Sequence, residues 1–539
     1  MTVQQTYNSL ILAKCGDHYG PKIFTMPPTT LRSKFLAALA LLSALSLGFV
    51  AQPSSSSAVE SATISKPITN ASVGIQMFGW SWPALEAECK NTIGPNGIDW
   101  ILTLPPQDHI TGSAWWTHYQ PTSYSLNSSA GNSSEFASMV SVCNTAGVKV
   151  ITDAVINHMA GGSGVSFDGK SYEFGTYQNL FKPNDFHFGL PTSDPHYCAD
   201  DISNWDAFRE RTDCQFPGLP DLATEKPEVR QKIADFLNSQ LELGVSGFRL
   251  DAAKHMPPAD IAAIKSLLIR DAYIVQEVPG STSLSNEYID TGDVWAWETY
   301  RVASSMFGSP GGASLGVAFD FDTRSYPESA KSLSWVSNHD TEHHGGAVTY
   351  GSGKLYEMAF AWLLAEPYGK PMLYSGYAFS DDNDDAPRDR DGKILAAKCA
   401  SSSSVKFDSK FPQFGSYKAG QFTCLQRWNS VAGMISFRDA SANEPKTNKF
   451  AKKGVLAFGR NSAGYVLFNS NLKAHSALKM ATGMAPGTYC DVYSGGKSPI
   501  KIAGKSCKGT SVIISKGGLF SGKVAPLTAI AITKESRLK

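Results

Sequence analysis

From about residue 72, short apolar runs recur along the chain, each followed by a stretch of helical periodicity. The runs are Val73–Phe78, Gly97–Leu104, Val148–Ala154, Val245–Asp251, Ala272–Glu277, Asp293–Trp297, Leu333–Asn338 and Pro371–Ser375. This alternation predicts an α/β fold in which parallel strands are wrapped by helices, and eight runs fit a closed (β/α)8 TIM barrel over residues 72–447. Between His158 and Asp221 the alternation breaks down into a segment rich in Gly, Asp, Asn and aromatic residues. A structureless loop of that length is rare in a compact domain, so residues 159–220 are expected to form a small domain inserted after strand three. The helical pattern then resumes, with Thr224 as the expected N-cap and Val229, Ile233, Phe236, Leu237 and Leu241 on one face. After residue 447 it stops. Strand-like runs at Gly454–Gly459, Tyr465–Asn469, Tyr489–Tyr493 and Ser511–Ser515 predict an all-β sandwich domain over residues 448–539.

In such a barrel the loops that follow the strands converge on one mouth, so polar residues at strand ends are candidates for chemistry. They occur at Asp153 to His158, at Asp251, at Glu277 and at Asn338-His339-Asp340. Within Val245–Asp251 the side-chain alternation puts Phe248 and Leu250 on one face and Arg249 with Asp251 on the other. A guanidinium two residues from a carboxylate on one face is expected to keep that carboxylate ionised. Alone, the pair fits a structural ion pair equally well, and Trp115-Trp116 alone reads as core packing.

Composition narrows the function. The 48 basic and 48 acidic residues cancel, so no net charge draws the chain to nucleic acid or to a membrane surface. Aromatic residues make up 11% of the chain and 47 residues are glycine, which suits stacking surfaces and tight loops around a neutral ligand. Arg32 and Lys34 precede the uncharged run Phe35 to Val50 and a Pro/Ser stretch, which predicts a secretory signal within residues 1–58, with Met26 a second candidate start. Of nine cysteines Cys15 precedes the expected cleavage site, which leaves an even number suited to an oxidising, extracellular compartment. Asn127 and Asn132 begin glycosylation sequons that agree with secretion.

Four ordered motifs, Asp153-Ala-Val-Ile-Asn-His158, Gly247-Phe-Arg-Leu-Asp-Ala-Ala-Lys-His255, Gln276-Glu277-Val278 and Ser337-Asn338-His339-Asp340, are joined by Gly218-Leu-Pro-Asp221-Leu-Ala and Trp115-Trp116-Thr-His-Tyr119-Gln120-Pro121. With these the chain from residue 72 to 539 resembles the α-amylases of glycoside hydrolase family thirteen, close to the animal and actinobacterial type. The resemblance implies endo-hydrolysis of α-1,4-glucosidic bonds in starch, glycogen and malto-oligosaccharides by a secreted monomer, with retention of configuration through a covalent intermediate. It implies Asp251 as nucleophile, Glu277 as acid/base and Asp340 as the third carboxylate. Trp115, Trp116, Tyr119 and Gln120 are then expected to hold sugars, with His158 and His339 donating to sugar hydroxyls and Arg249, Lys254 and His255 completing the substrate site. Glu277 follows the apolar run Ala272 to Val275, which is expected to raise its pKa while Arg249 keeps Asp251 charged.

The same resemblance implies a calcium site of Asn157 and Asp221 side chains with the Thr212 and His255 carbonyls, an oxygen set suited to a hard cation. It implies disulfides Cys89–Cys143, Cys198–Cys214, Cys399–Cys424 and Cys490–Cys507. Chloride, bound by many relatives of the animal type, would find Arg249 and Asn338, but its third ligand aligns with Met372, which offers no useful donor, and Lys370 stands two residues earlier. Little or no chloride activation is therefore expected. An α-glucosidase or transglycosylase, and a non-catalytic carbohydrate-binding homologue, are the alternatives; the latter would typically have lost a carboxylate, and all three are present.

Overall fold

The computed structural model describes residues 67–312, 315–322, 326–399, 417–501 and 505–539. The expected secretory segment and Cys15 lie outside them. Eight parallel strands close a barrel in sequence order: β1 (Gly74–Met77), β2 (Trp100–Leu102), β3 (Lys149–Ala154), β4 (Gly247–Leu250), β5 (Tyr273–Gln276), β6 (Asp293–Ala296), β7 (Ser332–Trp335) and β8 (Lys370–Ser375). Each expected run contributes one strand. Where a run ends in polar residues, as at Asp251, Glu277 and Asn338, the strand stops short of them and they turn into the loops.

Strand alternation divides the apolar residues between two environments. Trp100, Leu102, Ile151, Val275, Trp295, Leu333, Trp335 and Met372 fill the barrel interior. Phe248, Leu250 and Ile101 point outward into the core beneath the helices. A Cβ on Gly74 would sit 2.0 Å from the Trp100 indole, so the glycine of β1 is the space that this interior ring occupies.

The helix Pro227–Glu242 buries the expected face, Val229, Ile233, Phe236, Leu237 and Leu241. Its start differs from expectation. Thr224 is not the cap; its hydroxyl donates to Asp260 at 2.9 Å, and the helix begins at Pro227 after Lys226. Proline at the first helical position presets φ and lacks only an N–H that would have gone unpaired there.

Between β3 and β4 the insert carries a hairpin (Ser163–Val165 with Ser171–Glu173), single helical turns at Pro183–Asp185 and His187–Gly189, and the helix Phe208–Asp213. It is closed by Cys198–Cys214 and joined to the barrel where Leu222 N–H donates to the Asn157 carbonyl at 2.9 Å.

Eight further strands form two antiparallel four-stranded sheets. The first, in spatial order, is β9 (Lys446–Lys452), β10 (Val455–Arg460), β11 (Gly464–Asn469) and β16 (Thr528–Thr533). The second is β12 (His475–Ala481), β15 (Leu519–Val524), β14 (Ser511–Ser515) and β13 (Gly487–Cys490). Val455, Ala457, Tyr465, Leu467, Ile530 and Ile532 face the second sheet. Leu456, Phe458, Val466, Phe468, Ala529 and Ala531 join the barrel's outer core. Strands β10, β11 and β16 of the first sheet are thus buried on both faces, between the second sheet and the barrel. All four expected disulfides form, with Cα separations of 5.0, 5.0, 5.6 and 5.2 Å along the chain.

Candidate active site

At the C-terminal ends of the strands one guanidinium organises the site. Arg249, fully buried on β4, lies 4.6 Å above the Trp295 ring and bonds three carboxylates. Its Nη1 donates to Asp153 Oδ1 and Oδ2 at 2.8 and 2.9 Å and to Asp251 Oδ1 at 2.7 Å, and its Nη2 lies 2.9 Å from Glu277 Oε2. Asp153 also accepts from the Tyr119 hydroxyl at 3.0 Å. The chain turns sharply after the nucleophile candidate: Ala252 has φ 50°, in the left-handed region, and its N–H donates to Glu277 Oε2 at 3.0 Å. A non-glycine residue held there is a strained position maintained by its surroundings. Oε2 of Glu277 accepts from Ala252 and pairs with the charge of Arg249, and Oδ1 of Asp251 accepts from Arg249. Among the described residues none bonds Oε1 of Glu277 or Oδ2 of Asp251, which are left for a ligand.

Burial works against the ionised Asp251 that the sequence leads one to expect. Burial raises Asp251 well above the usual carboxylate range; Arg249 opposes this, and the like charges of Glu277, Asp153 and Asp340 add to it. Burial likewise pushes Asp153 up to about 6 against Arg249, and burial with the charge of Glu277 pushes Asp340 up to about 8. A single cation shared among this many buried carboxylates favours the ionised form of Asp251 less strongly than a dedicated partner would.

A cleft lies over these groups, lined by Trp115, Trp116, Tyr119, Gln120, His158, Phe216, Leu219, Asp251, Glu277, His339 and Asp340. His339 is stacked between Phe78 (4.7 Å) and Tyr119 (5.1 Å). Its Nδ1 lies 3.0 Å from the Gln76 amide nitrogen; with that amide donating, Nε2 carries the ring proton, 3.6 Å from Asp340. Trp115 is almost wholly buried, its indole N–H donating to the Asp382 carbonyl at 2.9 Å, while Trp116 is only half-buried and shows the cleft more of its ring.

Three of the expected substrate-binding side chains have partners within the protein. His158 borders the cleft, but its Nε2–H is spent on the Tyr119 carbonyl at 3.0 Å, and burial pushes its pKa down to about 4, so the neutral ring has no second proton for a sugar. His255 donates from Nδ1 to the Arg211 carbonyl at 2.9 Å and packs behind the cleft-lining Phe216 (4.8 Å) and against Trp205 (5.6 Å), without itself lining the cleft. The Lys254 ammonium lies 5.4 Å from the Trp205 ring, and its carbonyl accepts from Arg211 and Tyr288, so it too belongs to the wall between insert and barrel. Sequence reasoning named Asp153 as a strand-end candidate and Leu219 within a motif but gave neither a role, and it did not single out Gln76, Trp295 or Phe216. Asp153 had a signal, since it shares the inward parity of Ile151 on β3; the others are brought together only by the fold.

Beside the cleft Asn157, Asp221 and the His255 carbonyl converge. Asn157 Nδ2 lies 2.8 Å from Asp221 Oδ1 and 3.3 Å from the His255 oxygen, while Asn157 Oδ1 faces His158 Nδ1 at 3.2 Å. Since His158 is neutral with its proton on Nε2, that last contact sets two acceptors against each other. Turning the Asn157 amide over lets Nδ2 donate to His158 and aims Oδ1, Asp221 and the His255 carbonyl at one point, an oxygen set that fits a hard cation. Thr212 lies in the last turn of the helix whose Arg211 carbonyl holds His255. On the other side of Asp221, His187, His196 and Glu225 form a cluster whose ligand atoms lie within 4.8 Å of one another and which can coordinate a metal ion. Burial opposes a charge on His187, yet hydrogen bonds to Asp221 and Glu225 push it up to about 10. Burial in turn raises Asp221 to about 7.

Residues 105–291 match the family described as the alpha amylase catalytic domain, and residues 447–535 its C-terminal all-beta domain. The chain is 33% identical to an α-amylase of Streptomyces violaceus over 85% of its length and 73% of that protein's, and 32% identical to one from Tenebrio molitor over 82% and 92%. The chain belongs to the α-amylase family. It is a family-thirteen glycoside hydrolase acting on α-1,4 glucan bonds. Its fold superposes on α-amylase I of Eisenia fetida with a TM-score of 0.75 at 28% identity, covering 86% of this chain and 97% of that one. The α-amylase of Malbranchea cinnamomea, 18% identical with a TM-score of 0.61, shares the fold.

Proposed function

We propose that this family member is a secreted, endo-acting α-amylase that cleaves starch, glycogen and malto-oligosaccharides with retention of configuration. The observation that carries the reading is the Arg249 guanidinium, which holds Asp251 and Glu277 together beneath one cleft. A retaining hydrolase needs its two carboxyl groups about 5–5.5 Å apart, close enough for one to attack while the other protonates. Asp251 Oδ2 attacks the anomeric carbon as Glu277, protonated on Oε1, gives its proton to the leaving oxygen. Deprotonated Glu277 then activates the water that releases the sugar. Asp340, at the cleft with His339 beside it, stabilises the positive charge of the transition state. The Eisenia fetida enzyme has been solved with maltohexaose, and an open cleft edged by Trp116 and Tyr119 suits a similar chain here.

Asn157, Asp221 and the His255 and Thr212 carbonyls would hold calcium, whose charge ties the insert to the barrel. For chloride the fit is incomplete. Arg249 Nε and Asn338 Nδ2 are buried donors without a partner among the described residues. The third position is the apolar Met372, and Lys370 is held at the opposite end of the barrel by Asp293 at 2.7 Å. The four disulfides support an oxidising destination.

The test follows the first product from a malto-oligosaccharide by NMR. The α-anomer is expected initially, with mixed internal fragments from starch and little action on maltose; β-anomer first would overturn retention. Asp251→Asn should abolish turnover yet still bind oligosaccharide, and an active variant would remove the assigned nucleophile.

A further inference from the structure

Each histidine of the His187, His196 and Glu225 cluster has its Nδ1 engaged by a carboxylate. His187 Nδ1 lies 2.6 Å from Asp221 Oδ2, and His196 Nδ1 lies 3.2 Å from Asp213 Oδ2. A carboxylate on one imidazole nitrogen sets the tautomer and leaves the other nitrogen as a lone-pair donor, the usual support of a metal-bound histidine. For His187 that other nitrogen, Nε2, already lies 3.0 Å from Glu225 Oε2, and one ligand atom from each of the three residues lies within 4.8 Å of the others. The position is also open to a solvent ion: the His187 side chain is 2% exposed, but His196 is 43% and Glu225 26% exposed.

We propose that His187, His196 and Glu225 form a binding site for a zinc-class divalent ion, separate from the oxygen site at Asn157 and sharing Asp221 with it only as an outer support. Two imidazoles and one carboxylate suit a borderline transition ion and poorly suit calcium, whose ligands are oxygens. Three protein ligands leave a fourth position for water at the exposed side. The ion takes the place of the proton between His187 and Glu225. His187 and His196 lie on the insert and Glu225 on the segment that returns to the barrel helix Pro227–Glu242, so the ion clamps the two at a second point.

The test uses the full chain saturated with calcium, so that the oxygen site is filled before any second metal is added. Zinc titration is read by competition against a chromophoric chelator, and Co(II), a spectroscopic substitute, by its visible absorption. One equivalent is expected to bind, with the absorption of a four-coordinate nitrogen and oxygen site and a rise in melting temperature, since the ion binds only the folded chain. His196→Ala and Glu225→Gln alter partly exposed side chains and should leave folding and calcium binding intact while weakening the zinc equivalent at least tenfold. Zinc bound equally by wild type and both variants would be adventitious surface binding and would overturn the proposal. So would octahedral Co(II) spectra, or no binding at micromolar zinc.

Discussion

Asp153 touches no substrate in the proposed mechanism, yet it should set the acidity of the residue that does. Asp153 Oδ1 and Asp251 Oδ1 both bond the same nitrogen of Arg249, at 2.8 and 2.7 Å, so the two oxygens are at most about 5.5 Å apart. At an effective dielectric near 20, two unit charges at that distance repel by about 3 kcal/mol, roughly two pH units of acidity. Spreading of each charge over two oxygens reduces this to about one unit or somewhat more. In Asp153→Asn the repulsion is gone and Arg249 is shared among fewer carboxylates. Both changes act in the same direction, favouring the ionised form of Asp251. Attack requires that form, so the acid limb of the kcat/KM profile, which reports the free enzyme, should move down by about one pH unit. The carboxamide still accepts from Tyr119 but loses charge-assisted bonds, so stability should fall by about 1–3 kcal/mol. An acid limb that stays in place or moves upward in a folded variant would refute the charge coupling, whatever the change in kcat.

Burial raises the Asp340 pKa to about 8 from the usual carboxylate range, so the folded chain binds more protons than the unfolded one across that interval and this group's penalty on stability grows as pH rises through it. Asp340→Asn should therefore match wild type in melting temperature near pH 4 and exceed it at pH 8, by about 1–2 kcal/mol given that a quarter of the side chain meets solvent, while losing activity; calorimetry at the two pH values checks this. Removing calcium with a calcium-selective chelator should lower both activity and melting temperature, and restoring it should recover both; an unchanged melting curve after exhaustive chelation would argue against the Asn157 and Asp221 site. After dialysis into gluconate, chloride added at constant ionic strength should change turnover little, because Met372 offers no donor and Lys370 is bound to Asp293; a several-fold rise would show that another cation completes the site.

Local pattern was enough for the barrel strands, because a strand buried on both faces must be an apolar run and a barrel needs eight of them. It was also enough to place Asp251, Glu277 and Asp340 at one mouth, since strand ends in this architecture share a face. In the terminal domain β9, β12, β15 and β16 were missed. β9 and β12, with sequences such as Lys446-Thr-Asn-Lys and Leu478-Lys-Met, expose much of their length and lack the apolar run that marks a buried strand. The start of the helix at Pro227 depended on where Thr224 found a partner, and Asp260 lies in another element.

The acidity of the site was decided by tertiary structure alone. Arg249 and Asp251 are two residues apart and read as a private pair; Asp153 reaches the same guanidinium from the neighbouring strand, 96 residues earlier, and Glu277 from the next one. The histidines follow the same rule. Residue type allowed His158, His255 and His339 equally to meet a sugar, but a ring proton can be given once, and the Tyr119 and Arg211 carbonyls that claim two of them are 39 and 44 residues away. Sequence sets which groups a chain can present; which of them remain available to a ligand depends on the distant partners that folding brings within hydrogen-bonding distance.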